Sequence, residues 1–402
     1  MKVLLVTQYF YPENFKSNDI AFELVKRGYD VTVLTGIPNY PSGSFFKGYG
    51  IFKNRKQVIN GVQIYRVLLL PRGKGKGLRL ALNYFSWAFF ASFRAFFLAL
   101  LKRYDAILVH EPSPITQGIP AIVVKKMLHI PMYFWVLDLW PESLESAGGV
   151  TNKYILNFFT RIVRSVYRNS DKILISSKGF KKSILEKGNY ADKLIYFPNW
   201  AEDLFSERVS FSLPLLPKGF IVMFAGNIGE AQDFECIMQC ALLLKEEKHI
   251  KFVFVGDGRK RIWIEGFVER HELKETVSVL GRFPIEAMPA FFEKADVMLL
   301  SLKDELIFNL TVPAKLQAYM AAGKPIAGMI SGEGQNLIND SRCGFATDAG
   351  NYRELANIIL QMNSMDEHTR KIFGKNGREY YKRYFDMNQC IDHLCNILQG
   401  GN

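Results

Sequence analysis

The 402-residue chain predicts an α/β protein of two domains, each a doubly wound parallel sheet covered by helices. Three observations carry this. Short runs rich in Val, Ile and Leu alternate with helical patterns along the chain. The scheme breaks at Pro198-Asn199-Trp200, passes a loop containing Pro214 and Pro217, and then begins again. A length of 402 residues, at roughly 100–200 per domain, also suggests two cores. The expected domains are 1–200 and 201–402, their sheets facing a central cleft at the carboxyl ends of the strands, where such sheets bind ligands.

In the first half, strands are expected at 2–6, 31–35, 62–70, 105–109, 132–137 and 172–176, and helices at 19–27, 78–101, 116–128 and 153–168. The opening Met1-Lys2-Val3-Leu4-Leu5-Val6 is too short for a signal-peptide core and reads as a buried first strand. In the second half, strands are expected at 220–225, 251–255, 277–280, 296–300 and 325–329, and helices at 232–247, 259–271, 286–294, 313–322 and 351–363. A last helical stretch, 376–398, has no strand after it and is expected to cross back to the first domain.

Residues 80–101 are apolar except for Arg94 and long enough to span a bilayer. Strand-like runs on both sides argue against a span, because it would separate neighbours of one sheet. From Arg66 to Arg103 the charged residues are all basic, including Arg72, Lys74, Lys76, Arg79 and Lys102. An apolar, aromatic helix flanked by cations suits the interface of an anionic membrane. A core helix is the other reading.

Charge is unevenly divided. Residues 1–200 hold 28 basic and 12 acidic side chains, residues 201–402 hold 23 and 27, and the whole chain is +12. A hydrophobic share of 49% with 22% charged excludes general disorder. The five cysteines, Cys236, Cys240, Cys343, Cys390 and Cys395, fall in the second half with no zinc-like His spacing, which fits a reducing cytoplasm. Gly-x-Ser-x-Gly, Walker and His-Glu-x-x-His motifs are absent, and Asp-x-Asp, the usual metal-binding pair for nucleotide sugars, is absent too.

Chemistry is expected at strand ends. The loop after the first strand, 8–18, is polar and feeds a helix start, which makes Lys16 and Asn18 candidates for acceptor contacts, with Asn39 and Tyr40 after the second strand. His110 and Glu111 end a further strand. Asp138 ends a very apolar one beside Trp140, and a carboxylate there would be costly without a partner or a role. In the second half, Gly226, Asn227, Gly229 and Gln232 follow one strand, Gly256, Gly258 and Arg259 the next, and Arg282 another. Asn309, Thr311 and Lys315 surround Pro313 at a helix start. Several glycine- and cation-bearing strand ends point to a nucleotide diphosphate. Arg72-Gly73-Lys74-Gly75-Lys76-Gly77 reads as a flexible basic loop.

The pattern resembles the GT-B glycosyltransferases of family 4 over essentially the whole chain. The resemblance rests on Tyr11-Pro12-Glu13, Lys26-Arg27-Gly28, His110-Glu111-Pro112, Asp138-Leu139-Trp140-Pro141, Pro198-Asn199, Gly226-Asn227, Gly256-Asp257-Gly258, Leu280-Gly281-Arg282, and Pro313-Ala314-Lys315 with Tyr319-Met320-Ala321-Ala322-Gly323-Lys324-Pro325. It is most similar to the branch that builds lipid-linked bacterial surface polysaccharides, including O-antigen, capsule and colanic-acid-type transferases of N-acetylated amino-deoxy sugars. The resemblance implies a retaining, metal-independent enzyme without a cofactor, the nucleotide in the second domain and the acceptor in the first. The expected reaction moves a hexosamine-like sugar from a UDP-sugar to an undecaprenyl-diphosphate-linked saccharide at the cytoplasmic membrane face. In it Lys315, Arg282 and Thr311 stabilise the leaving diphosphate, while Asp138 and His110, with Glu111 beside them, orient acceptor and donor sugar. The family's two glutamates eight apart would fall at Leu310 and Ala318. Two alternatives are a UDP-N-acetyl-sugar epimerase and, on net charge alone, a nucleic-acid binder.

Overall fold

The computed structural model describes residues 1–146, 149–206 and 209–401. The chain forms two compact units, Met1–Phe197 with Ile391–Asn402, and Pro198–Cys390.

The first unit is built on an eight-stranded sheet: β1 (Lys2–Val6), β2 (Asp30–Gly36), β3 (Lys56–Ile59), β4 (Val62–Val67), β5 (Ala106–Glu111), β6 (Met132–Val136), β7 (Lys172–Ile175) and β8 (Leu194–Tyr196). Their order is β3-β4-β2-β1-β5-β6-β7-β8, and only the β3–β4 pair is antiparallel. In β1, Val3 to Val6 are wholly buried, and Val3 pairs with both Val31 and Ala106. A strand covered on both faces needs this unbroken apolar run.

Two short strands escape the sequence pattern. Edge strand β3 alternates with weak hydrophobicity, and its signal was instead the hairpin turn Asn60-Gly61, both residues with positive φ. Strand β8 has only three residues. The helix expected from 19 begins earlier, at Lys16–Lys26, so Lys16 and Asn18 lie in its first turn.

The long apolar helix is Gly77–Leu101. Seven of its 25 residues are buried, mostly on a stripe formed by Asn83, Trp87, Ala91, Ala95 and Ala99 at a spacing of four. The other side exposes ten large apolar side chains, Phe89 at 69% and Phe93 at 64% among them. It is therefore not a core helix. Strands β4 and β5, before and after it, join one sheet, which leaves it no course across a bilayer.

The second unit holds β9 (Phe220–Ala225), β10 (Ile250–Val255), β11 (Val277–Gly281), β12 (Val297–Ser301), β13 (Ile326–Met329) and β14 (Gly344–Thr347), all parallel, in the order β11-β10-β9-β12-β13-β14. Alternate residues enter opposite layers: Val222, Phe224, Phe252 and Phe254 one, Met223, Ala225, Val253 and Val255 the other. Strand β14 was not expected; it has four residues, and two of them, Gly344 and Ala346, are weak strand formers. The single helix expected at 376–398 is a correction: it breaks into Glu367–Tyr384 and Met387–Leu398, where the Asp386 carboxylate caps the second by accepting from Gln389 N at 3.0 Å. The second helix leads the chain back into the first unit. There Asp392 pairs with Arg27 at 2.8 Å, and Gln399 donates to the Tyr29 hydroxyl at 2.9 Å.

Candidate active site

In an open parallel sheet, ligands bind where the strand order reverses, beyond the carboxyl ends of the two strands involved. In the second unit those strands are β9 and β12. A cavity of about 750 Å³ opens there, within this unit. Gly226 enters it from the end of β9, Arg282 and Phe283 from the end of β11, and Lys315 and Ala318 from helix Ala314–Ala321. Phe205 and Phe292, stacked with ring centroids 5.6 Å apart, form an aromatic wall. The buried Tyr319 hydroxyl bonds to the Ala225 backbone at 3.2 Å, which ties the helix to β9.

Lys315 is the key group. Its ammonium lies 4.0 Å from the centroid of the Phe224 ring. Among the described residues neither it nor Arg282 pairs with a carboxylate, whereas the neighbouring Lys260 and Lys303 both pair with Glu230. Burial pushes the Lys315 pKa down to about 7. Gly226, at φ 136°, leaves room for it: a Cβ there would stand 2.6 Å from Lys315 Cε.

The other expected donor residues are engaged elsewhere. Thr311 Oγ1 donates to Ile307 O at 2.7 Å, and Asn309 Nδ2 to Asp304 at 2.8 Å. Gln232 Oε1 accepts from Gly229 N at 3.2 Å. Asn227 is exposed beside Gly229 and Gly258, and Arg259 is exposed; neither lines the cavity. The glycine amides expected to hold phosphate are also spent. Gly226 N donates to Val255 O and Gly256 N to Gly281 O, both at 2.8 Å, and Gly258 N to Asp257 Oδ1 at 2.8 Å. These glycines let one loop backbone lie against another. Among the described residues, the cations that line the cavity without a carboxylate partner are Lys315 and Arg282.

In the first unit the reversal lies between β1 and β5. His110 is buried between Thr7 Oγ1, 3.3 Å from its Nδ1, and the Trp135 ring. Burial, and then the charge of Lys16, push its pKa down to about 3, so the imidazole is neutral at physiological pH. Glu111 is wholly buried, its carboxylate oxygens without a hydrogen-bond partner among the described residues, and burial, followed by the nearby Asp138, raises its pKa well above the carboxylate range. Asp138 accepts from Trp140 Nε1 at 3.2 Å and from the Ser143 hydroxyl, while burial raises its pKa. Lys16 pairs with Asp19 at 3.6 Å. Asn18 and Asn39 brace loops: Asn18 accepts from Tyr11 N at 2.8 Å, and Asn39 accepts from Arg72 N at 3.1 Å.

Tyr40, which is exposed, has company the sequence reading missed. The Arg72 guanidinium lies 4.8 Å from its ring centroid and donates to the Tyr9 hydroxyl at 3.3 Å. Glu13, buried, accepts from Asn39 N and Tyr40 N at 2.8 and 2.7 Å, and its pKa is pushed up to about 7 by burial. Gln117 Oε1 accepts from Gln8 N at 2.6 Å. Glu13 belongs to Tyr11-Pro12-Glu13, and Arg72 opens the glycine-rich basic loop. Only the fold brings 13, 39, 40 and 72 together.

The low Lys315 pKa gives a pH prediction. Above about pH 7 the free protein holds a neutral amine, so an anion must bring a proton with it. Affinity for a phosphate anion offered to this cavity should therefore fall as pH rises, by up to about tenfold per unit between about 7 and 10.5. Ligand-free stability should rise over the same window, because the unfolded lysine holds the proton there. Titration calorimetry in buffers of different ionisation enthalpy would register the proton uptake; pH-independent affinity would refute it.

A model of the glycosyl transferase 4-like domain matches residues 17–200, and one of the glycosyl transferases group 1 matches residues 219–364. The glycosyltransferase WbjE of Pseudomonas aeruginosa is 28% identical over 270 residues, 61% of this chain and 65% of that protein, just under two thirds of its length. WcaI of Escherichia coli K12, named a colanic acid biosynthesis glycosyl transferase, is 25% identical over 348 residues, 80% of this chain and 82% of its own. Among solved structures, Anabaena HepE in complex with UDP superimposes over 100% of both chains with a TM-score of 0.70 at 14% identity. The sequence motifs, the two doubly wound sheets and these matches agree: the chain belongs to the family 4 glycosyltransferases of GT-B fold.

Proposed function

We propose that this glycosyltransferase moves a hexose, of the N-acetylated amino-deoxy kind, from a UDP-sugar to an undecaprenyl-diphosphate-linked saccharide, with retention, in the assembly of an O-antigen, capsule or related polysaccharide. The observation that carries the reading is the cavity lined by Lys315 and Arg282, neither paired with a carboxylate among the described residues, beside Gly226 and an aromatic wall. Two cations without carboxylate partners suit a diphosphate, and developing charge on a leaving UDP is what such preorganised groups stabilise best. Neutralisation by these side chains is the basis for proposing metal-independent transfer. The relatives WbjE and WcaI support the polysaccharide setting. The exposed apolar helix Gly77–Leu101, with Lys74, Lys76 and Arg79 at its start, supports work at the inner membrane face.

The first unit then serves the acceptor, through Tyr40, Arg72 and the loop that begins at Tyr9, with Asp138, His110 and Glu111 shaping the strand ends. Incubation with UDP-sugars and lipid-linked mono- and disaccharides should give transfer that EDTA leaves within about twofold. No transfer from any nucleotide sugar would sink the reading. Sugar isomerisation without acceptor would replace it with an epimerase.

A further inference from the structure

The first unit carries a second cavity, of about 500 Å³, between the end of β4 and helix Gly77–Leu101. Its walls combine Phe89, Phe90 and Phe93 with two half-buried arginines, Arg55 and Arg94. The Arg94 guanidinium lies 4.7 Å from the Tyr65 ring centroid, and the ammonium groups of Lys102 and Lys56 lie 5.1 and 5.7 Å from the same centroid. Arg55 donates to the carbonyls of Arg66 and Ile51 at 2.5 and 3.0 Å. Among the described residues none of these four cations pairs with a carboxylate. The sequence explains why: positions 31–104 hold twelve Lys and Arg and no Asp or Glu. Burial and the charge of Arg94 both hold the Arg55 pKa below its usual value.

Cations massed around one ring with no acid call for an external anion. The walls define what kind. Phe89 and Phe93 are largely exposed and continue along an apolar helix face about 37 Å long. Helix Lys153–Asn169 widens that face, since Phe85 lies 6.2 Å from the half-exposed Phe158 and Tyr154 is exposed beyond it. Free phosphate or a nucleotide would leave these rings in water. A phosphorylated lipid covers both parts.

We propose that this groove holds the headgroup of an anionic bilayer phospholipid, its phosphate between Arg55 and Arg94 and its acyl chains against Phe89 and Phe93. The groove thus fixes which face of the first unit meets the membrane. The proposal rests on the membrane part of the proposed function and not on the transfer chemistry.

Cosedimentation of the full chain with vesicles tests it. Phosphatidylglycerol mixed with phosphatidylcholine should bind, phosphatidylcholine alone far less. Arg55→Gln with Arg94→Gln should weaken binding to the anionic vesicles roughly thirtyfold. The Arg55→Lys, Arg94→Lys pair, which keeps the charge, should retain most of it, and Phe89→Ser with Phe93→Ser should lose binding at unchanged charge. Circular dichroism and thermal unfolding check that each variant is folded. Equal binding by the Gln and wild-type proteins, or equal binding to both vesicles, overturns the headgroup site while leaving sugar transfer untouched. No binding to either vesicle removes the membrane reading as well. Self-association in place of vesicle binding would assign the face to a second copy and overturn the proposal.

Discussion

Lys315→Met should lose sugar transfer by about 10²–10³-fold while leaving the ligand-free protein at least as stable as before. The two effects have one cause. Lys315 holds its ammonium over the Phe224 ring with no carboxylate, and burial pushes its pKa down to about 7. At or below that pH the fold carries the cost of a desolvated charge, and methionine fills the same space without it. A gain of about 1 kcal/mol is expected. In the proposed reaction the loss in rate follows from removing a positioned charge at the leaving diphosphate. Steady-state kinetics and thermal unfolding, both with and without UDP, separate the effects. Turnover within about threefold of wild type would show that Lys315 does not face the reacting phosphates.

Gly256→Ala should destabilise the second unit by more than about 3 kcal/mol. Gly256 has φ 149°, and a Cβ there would stand 1.8 Å from Gly226 O. That contact is backbone on backbone, so no side chain can turn aside. The strain would fall on the segment that gives Lys315 its space, so UDP binding should weaken in the same variant. A melting point lower by about 10 °C is the expected reading. Gly266, inside helix Arg261–Arg270, is the control: a Cβ there meets nothing within 4 Å, and Gly266→Ala should add about 0.5–1 kcal/mol. Equal, small effects at both positions would refute the account of the packed loops.

Much of the fold was legible because buried parallel strands have no polar face. Runs such as Val3-Leu4-Leu5-Val6 and Val297-Met298-Leu299-Leu300 can belong to little else. What escaped was short or at an edge. Strand β3 pairs on one side only and needs no continuous apolar run, and its Asn-Gly turn was the stronger clue. The break at Phe385-Asp386 was missed because helical periodicity resumes at once and only the capping Asp386 marks it.

The sites divide differently. Glycine at a strand end says that something approaches closely, not what. At Gly226 it is the stem of Lys315, at Gly256 and Gly258 another loop's backbone. Asn18, Asn39, Thr311 and Gln232 are polar residues at loop ends, yet their hydrogen bonds turn inward to brace those loops. Hydropathy cannot distinguish a side chain that serves its own loop from one that awaits a ligand.

From residue order alone came two doubly wound sheets, a boundary near Pro198, and a basic half joined to an acidic one. These follow from local pattern, since periodicity and charge are properties of neighbours in sequence. The fold alone decided that Lys315 and Arg282 line one cavity with no carboxylate partner among the described residues, that Glu13 binds the amides of Asn39 and Tyr40, and that Arg55 and Arg94 share a groove lined by phenylalanine. Each joins residues far apart in the chain. Whether a charge is satisfied or left for a ligand depends on which distant group lies within about 4 Å, and only the packed structure sets that distance.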